Sequence, residues 1–138
     1  MCHVQEIPGG KVDSTDETVL HAVAREVKEE TGLDVTRFVR LVGAFGWEDY
    51  HERRQQHEVW HKLVFEVETR ALDVALDPVE HQSYLFATEE EVRSDCAAGT
   101  ALTWISPPNK EMNLAAFRMR REAPTDAAPL MLTTPSTI

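Results

Sequence analysis

Two hydrophobic periods alternate along the chain, and the switches between them mark its elements. Val4 to Ile7 is short, partly apolar and ends at Pro8-Gly9-Gly10, which reads as a strand tail entering a turn. Helical spacing follows: Leu20, Val23, Ala24 and Val27 recur at steps of three and four and form one apolar stripe. Ahead of that stripe Ser14 and Glu17 have the spacing of a capping box, and Asp16 and Glu17 suit the positive end of a helix dipole. The helix is expected to run to about Thr31, with Gly32 in the left-handed closing position.

The period then changes to two. Phe38 to Phe45 reads as a strand, and Val59, Leu63, Phe65 and Val67 alternate with polar residues as a longer one. Gly46 to Gln56 between them reads as a polar loop carrying Trp47, Tyr50, Arg53 and Arg54. Leu72 to Leu76 and Tyr84 to Ala87 are expected as short strands flanking an Asp77-Pro78 turn. A second helix is expected from Thr88, where Thr88 and Glu91 repeat the capping-box spacing, to near Gly99. Pro107 and Pro108 open a last amphipathic helix that turns Met112, Ala115, Ala116 and Met119 toward the core. From Glu122 to Ile138 the chain is rich in Pro, Thr and Ala without periodicity, so a disordered tail is expected after a single domain over 1–121.

Composition narrows the class. A chain of 138 residues has room for one domain with a working core, and 42% hydrophobic with 28% charged residues is ordinary for a globular protein. No stretch approaches the roughly 20 apolar residues of a membrane span. The first residues lack the regions of a signal peptide, so a cytoplasmic or nuclear protein without a membrane partner is expected. Cys2 and Cys96 have no metal-ligand spacing and read as reduced thiols. The formal net charge of -10 argues against duplex nucleic acid, whose binding draws on Lys and Arg. An anionic small molecule remains open if a metal ion supplies positive charge locally.

The charge pattern on the first helix is compatible with such an ion. Glu26, Glu29 and Glu30 are related by steps of three and four, so they share a face beside the apolar stripe, with Arg25 at its edge. Like charges so placed cost a helix roughly 0.2–0.5 kcal/mol per pair. A hard divalent cation that takes carboxylate oxygens and bridges to phosphate would offset that cost. From charge spacing alone, a solvated acidic face is the plainer reading.

The wider run from Gly10 to Leu33 resembles the signature of the Nudix hydrolase family: glycine, five residues, glutamate, seven residues, then Arg-Glu-apolar-x-Glu-Glu-x-Gly-apolar. Seven residues after Glu17 come Arg25-Glu26-Val27-Lys28-Glu29-Glu30-Thr31-Gly32-Leu33, which match at every specified position. The first half carries one extra residue, since Lys11 to Asp16 make six between Gly10 and Glu17. The resemblance implies an α/β fold, a mixed sheet sandwiched between helices. It also implies water attack on a phosphoanhydride of a nucleoside diphosphate derivative, assisted by Mg2+ or Mn2+. By it Glu26, Glu29 and Glu30 hold the metal, a backbone carbonyl at Gly9 or Gly10 completes the shell, and Arg25 and Glu17 support them. Gly32 closes the helix.

A catalytic base on a later loop is implied for some members, and Glu80 is the candidate here; a solvated turn residue is the alternative. Trp47 or Tyr50 would stack on a base and Arg53 or Arg54 would meet a phosphate, against the plainer reading of an exposed polar loop. His57 and His61 read as packing or surface residues. Only nine residues precede Gly10, where such domains carry strands. Those strands are therefore expected to be missing or to be replaced by the C-terminal half or a second copy, with marginal stability or a homodimer as the consequence. An inactive Nudix-like nucleotide-binding or regulatory module is the alternative function, and a helical acidic interaction domain is the third. The substrate stays open among nucleotide sugars, ADP-ribose, dinucleoside polyphosphates, oxidised nucleotides and capped RNA ends.

Overall fold

A computed structural model describes residues 4–76 and 83–124. The Asp77-Pro78 turn, Glu80, and the tail from 125 onward lie outside the described residues. The observed order is β1 (Val4–Gln5), α1 (Val19–Thr31), β2 (Val35–His51), β3 (Gln56–Thr69), α2 (Glu89–Ser94), β4 (Cys96–Ala97), β5 (Thr100–Ala101), β6 (Thr103–Trp104) and α3 (Pro107–Glu122). This mixture of helices with mainly antiparallel strands is the α/β class the sequence predicts. Among the described residues the strands form three two-stranded ladders, β1-β6, β2-β3 and β4-β5.

The hairpin β2-β3 is the longest element, and it corrects the expected polar loop over Gly46 to Gln56. The antiparallel register continues without interruption from Gly43↔Val64 to His51↔Gln56, leaving a tight turn over 52–55 in which Gln55 is left-handed, φ 49°. Cross-strand side-chain pairs explain the extension. Trp47 opposes Trp60 and stacks on it at 5.9 Å, and His57 Nε2 lies 3.3 Å from Glu48. Such pairs stabilise a ladder by about 0.2–1 kcal/mol each, so residues that look like loop by polarity are held as strand.

The other half of the hairpin is irregular. Register shifts fall between Val35 and Arg37, Phe38 and Arg40, and Leu41 and Gly43. Bulges break strict alternation, and the neighbours Phe38 and Val39 are both buried, with Val42 and Val64, in the core. Helix α3 lies against this end. A Cβ added to Gly43 would come 2.8 Å from Met112 Sδ, so the missing side chain permits the close approach. Arg40 bonds the Met119 and Ala123 carbonyls at 2.9 and 2.6 Å, satisfying the end of α3 from the strand.

Two expected strands are absent: 71–76 and 83–88 have no regular structure. Tyr84 and Phe86 are instead exposed and in edge-to-face contact at 5.9 Å. Helix α2 begins with the expected capping box, Thr88 Oγ1 accepting from Glu91 N at 3.3 Å, but stops at Asp95 rather than Gly99. Ala98 and Gly99, φ 49° and 76°, make the two-residue β4-β5 turn, whose double left-handed geometry matches strand twist. β1 pairs in parallel with β6, through Val4↔Thr103 and Gln5↔Trp104, so a C-terminal strand does partner the N-terminal one.

Helix α1 also starts later than expected. Its N-cap is Thr18, which accepts from His21 N at 3.3 Å while His21 Nδ1 accepts from Thr18 N, a capping box closed by histidine rather than by Glu17. Ser14 is occupied by Asp13 in the preceding loop. Gly32 closes the helix at φ 73°, its N–H on the Lys28 carbonyl at 2.9 Å. Replacing Thr18 by alanine is expected to cost about 1 kcal/mol. Ser14→Ala should stay within about 0.5 kcal/mol. Urea midpoints of the two variants check which residue caps the helix.

Candidate active site

The loop over 11–16 and helix α1 are joined through one guanidinium. Arg25 Nε donates to Asp16 Oδ1 at 3.0 Å and Nη2 to Asp16 Oδ2 at 2.8 Å, a two-pronged pairing with a carboxylate only 1% exposed. Nη2 also donates to the Lys11 carbonyl at 3.0 Å. Nη1 donates to Glu26 Oε1 at 2.9 Å and to Glu29 Oε2 at 3.1 Å. The five donors of the arginine fork thus bind the loop on one side and two of the three glutamates on the other.

Asp16 is the acidic residue that meets the arginine, while Glu17, expected in a supporting role, is exposed at the loop's end. A turn explains the choice: Asp16 N bonds the Asp13 carbonyl at 3.0 Å and Asp13 N bonds Asp16 Oδ2 at 2.7 Å, which turns the Asp16 side chain inward. The signal was present in the sequence. Five residues after Gly10 the next position is Asp16, so the glycine half of the motif counts to the aspartate and the arginine half to Glu17.

The third glutamate is held separately. Glu30 is buried, and its Oε2 accepts from Gly9 N at 2.8 Å, which fixes the Pro8-Gly9-Gly10 turn over α1. Gly10 lies against Glu26: an added Cβ would fall 2.3 Å from its carboxyl carbon. The bare Cα of Gly10 leaves the carboxylate the position it occupies. The exposure is graded, with Glu30 buried, the Glu26 side chain 15% exposed and that of Glu29 57% exposed.

The hydrogen bonds from Arg25 and, after it, from the Asp13 amide hold the Asp16 carboxyl down at about 2, and the same pairing raises Arg25. Among the described residues no three His, Cys, Asp or Glu side chains already converge as a cation cluster. The donor set nevertheless suits a hard divalent ion. Three carboxylates supply oxygen ligands, the bare Cα of Gly10 leaves room at Glu26, and one positive centre already draws Glu26 and Glu29 together.

Beside this cluster the hairpin carries a row of aromatic rings. Phe45 and Trp47 are 6.0 Å apart, Trp47 stacks on Trp60, and Lys11 Nζ lies 4.5 Å from the Trp60 ring centre. A cavity of about 430 Å³ lies between Phe45, Trp47 and Lys62 of the hairpin and Ile105, Ser106 and Asn109 at the start of α3. Of the residues expected to touch substrate, Trp47 lines it. Tyr50 is exposed on the hairpin three residues beyond, and Arg53 lies in the turn over 52–55, so neither is brought to the cavity or to the carboxylates. Asn109, which the sequence reading passed over, is 2% exposed.

A family model described as NUDIX domain matches residues 2–106. No curated protein matches the chain, and no solved structure does.

The folded Asp16 pKa of about 2 lies below its ordinary 3.8. Its pairing therefore stabilises the fold fully above the ordinary value, and that stabilisation is lost as pH falls toward the folded one. Asp16→Asn is expected to lower the urea midpoint at neutral pH, with the gap from the parent protein closing between about pH 4 and pH 2. A gap that stayed constant over that range would show that the carboxylate charge is not what holds the loop.

Proposed function

The chain belongs to the Nudix family, and from that premise we propose that it is a divalent-metal-dependent hydrolase of a nucleoside diphosphate derivative. The observation that carries this reading is the grip of Arg25 on Glu26 and Glu29 beside the Glu30–Gly9 contact, on the helix that bears the family's signature. Glu26, Glu29 and Glu30, with a Gly9 carbonyl, would hold Mg2+ or Mn2+. When bound, such an ion neutralises charge on the phosphate oxygens and makes water a better nucleophile at neutral pH.

The chain's own residues do the rest. Water forms a bond to phosphorus, the bridging P–O bond breaks, and the leaving phosphate departs with the electron pair. Glu29, the most exposed of the three carboxylates, or Glu80 takes the proton from the water. Arg25 orients Glu26 and Glu29, Asp16 fixes Arg25, and the Gly9 N–H fixes Glu30. Orientation of this kind matters because the acidic groups must keep one geometry while their charges repel.

A second reading, a nucleotide-binding module without turnover, draws on the lack of a converged cluster among the described residues. A screen of nucleoside diphosphate derivatives with magnesium or manganese separates the two. Glu29→Gln and Glu30→Gln are expected to remain folded and to lose phosphate release by roughly a hundredfold or more. Glu80→Gln tells which carboxylate is the base. Binding without release across the screen, or no metal uptake by calorimetry in the presence of nucleotide, would overturn the enzyme reading.

A further inference from the structure

Of the four lysines in a chain of net charge -10, Lys28 pairs with Asp34 and Lys110 with Asp95, while Lys11 and Lys62 lie over aromatic rings. Lys11 stands out because of where it is. It follows Gly10, whose Cα packs against the Glu26 carboxylate, and its carbonyl accepts from Arg25, the guanidinium that also holds Glu26 and Glu29. Its ammonium nevertheless makes no ion pair or hydrogen bond among the described residues and rests 4.5 Å from the centre of the Trp60 ring.

This arrangement combines a fixed backbone with a free charge. The chain at Lys11 is held through the Arg25 contact at 3.0 Å and, two residues earlier, through the Gly9 N–H on Glu30 at 2.8 Å, so the side chain swings from a constant origin. That side chain is exposed on a flexible four-carbon stem, and an ammonium on the face of a ring at such a site is held weakly. A phosphate oxygen offers a charge-assisted hydrogen bond and so displaces the ring as partner. Arg25 has no such freedom, because its donors are taken by Asp16, Glu26, Glu29 and the Lys11 carbonyl.

We propose that Lys11 contacts the diphosphate of the substrate, its ammonium resting on Trp60 in the free protein and passing to a phosphate oxygen on binding. The identity of that ligand rests on the hydrolase reading. Trp60 serves as the resting place that keeps the ammonium off the glutamate oxygens, leaving them open to a cation while the lysine waits for an anion.

The test is a calorimetric titration of the full chain, in magnesium, with methylenediphosphonate, a diphosphate mimic that water does not cleave, with tryptophan fluorescence followed alongside. The parent chain is expected to bind and to change its fluorescence as the ammonium leaves Trp60. Lys11→Met keeps the carbonyl that Arg25 binds, and it should weaken binding about tenfold and abolish the fluorescence change. Trp60→Leu takes away the resting place but not the charge, and affinity should stay within about twofold of the parent. Absence of binding by the parent, equal affinity in Lys11→Met, or a loss in Trp60→Leu as large as in Lys11→Met overturns the proposal, the last by making Lys11 a strut of the loop. The fluorescence separates these readings even if Trp60→Leu does not fold, since a strut would stay on its ring, and a signal unchanged on saturation also overturns the proposal. If Lys11→Met binds as the parent does while metal-dependent phosphate release persists, the Lys11 assignment alone fails. If binding depends on Lys11 but no substrate is turned over, the assignment stands and the hydrolase reading falls.

Discussion

The orientation of Glu26 and Glu29 at the candidate site depends on the pairing of Arg25 with Asp16. Three glutamates on successive turns of α1 repel one another, and a helix in isolation would lower that cost by letting the side chains spread. The guanidinium prevents this spreading for two of them. Its Nε and one amino group are fixed by a carboxylate that is almost fully enclosed, so its remaining amino group is presented to Glu26 and Glu29 in a single orientation. A lysine would supply the charge but not the planar fork that makes both contacts from one rigid group.

The loop before α1 is part of the same assembly. It is folded back by the Asp13–Asp16 turn, tied to Arg25 through the Lys11 carbonyl, and tied to Glu30 through the Gly9 amide. Helix and loop therefore constrain each other, and the extra residue in the motif is absorbed where the turn selects Asp16 as the arginine's partner. The late start of α1 at Thr18 has the same origin, since the preceding residues are committed to the loop's own hydrogen bonds.

The hairpin brings the second half of the site. Its bulged end provides buried apolar residues for the core and contacts α3, while its regular end places aromatic rings beside the glycine loop. One long element thus spans from the core to the cavity. The start of α3 closes that cavity because Ile105 N continues the β1-β6 ladder by bonding the Gln5 carbonyl at 3.1 Å. Lys110 and Trp104 both bond Asp95, 2.8 Å each, and keep its carboxyl below the usual range while linking α2 to α3.

The local part of this protein was legible from its residues alone. The signature helix, its closing glycine, the Thr88 capping box and the proline-opened last helix all depend on spacings within a few residues, which backbone geometry converts directly into position. What joined distant segments was not legible. The extension of the hairpin through Trp47 came from pairing with Trp60, and the close approach of Met112 on α3 to Gly43 joins segments more than sixty positions apart. The role of Asp16 came from a turn that folds it onto a helix starting three residues later. Periodicity records which face of an element is apolar, but the partner that covers that face is chosen only when the elements pack.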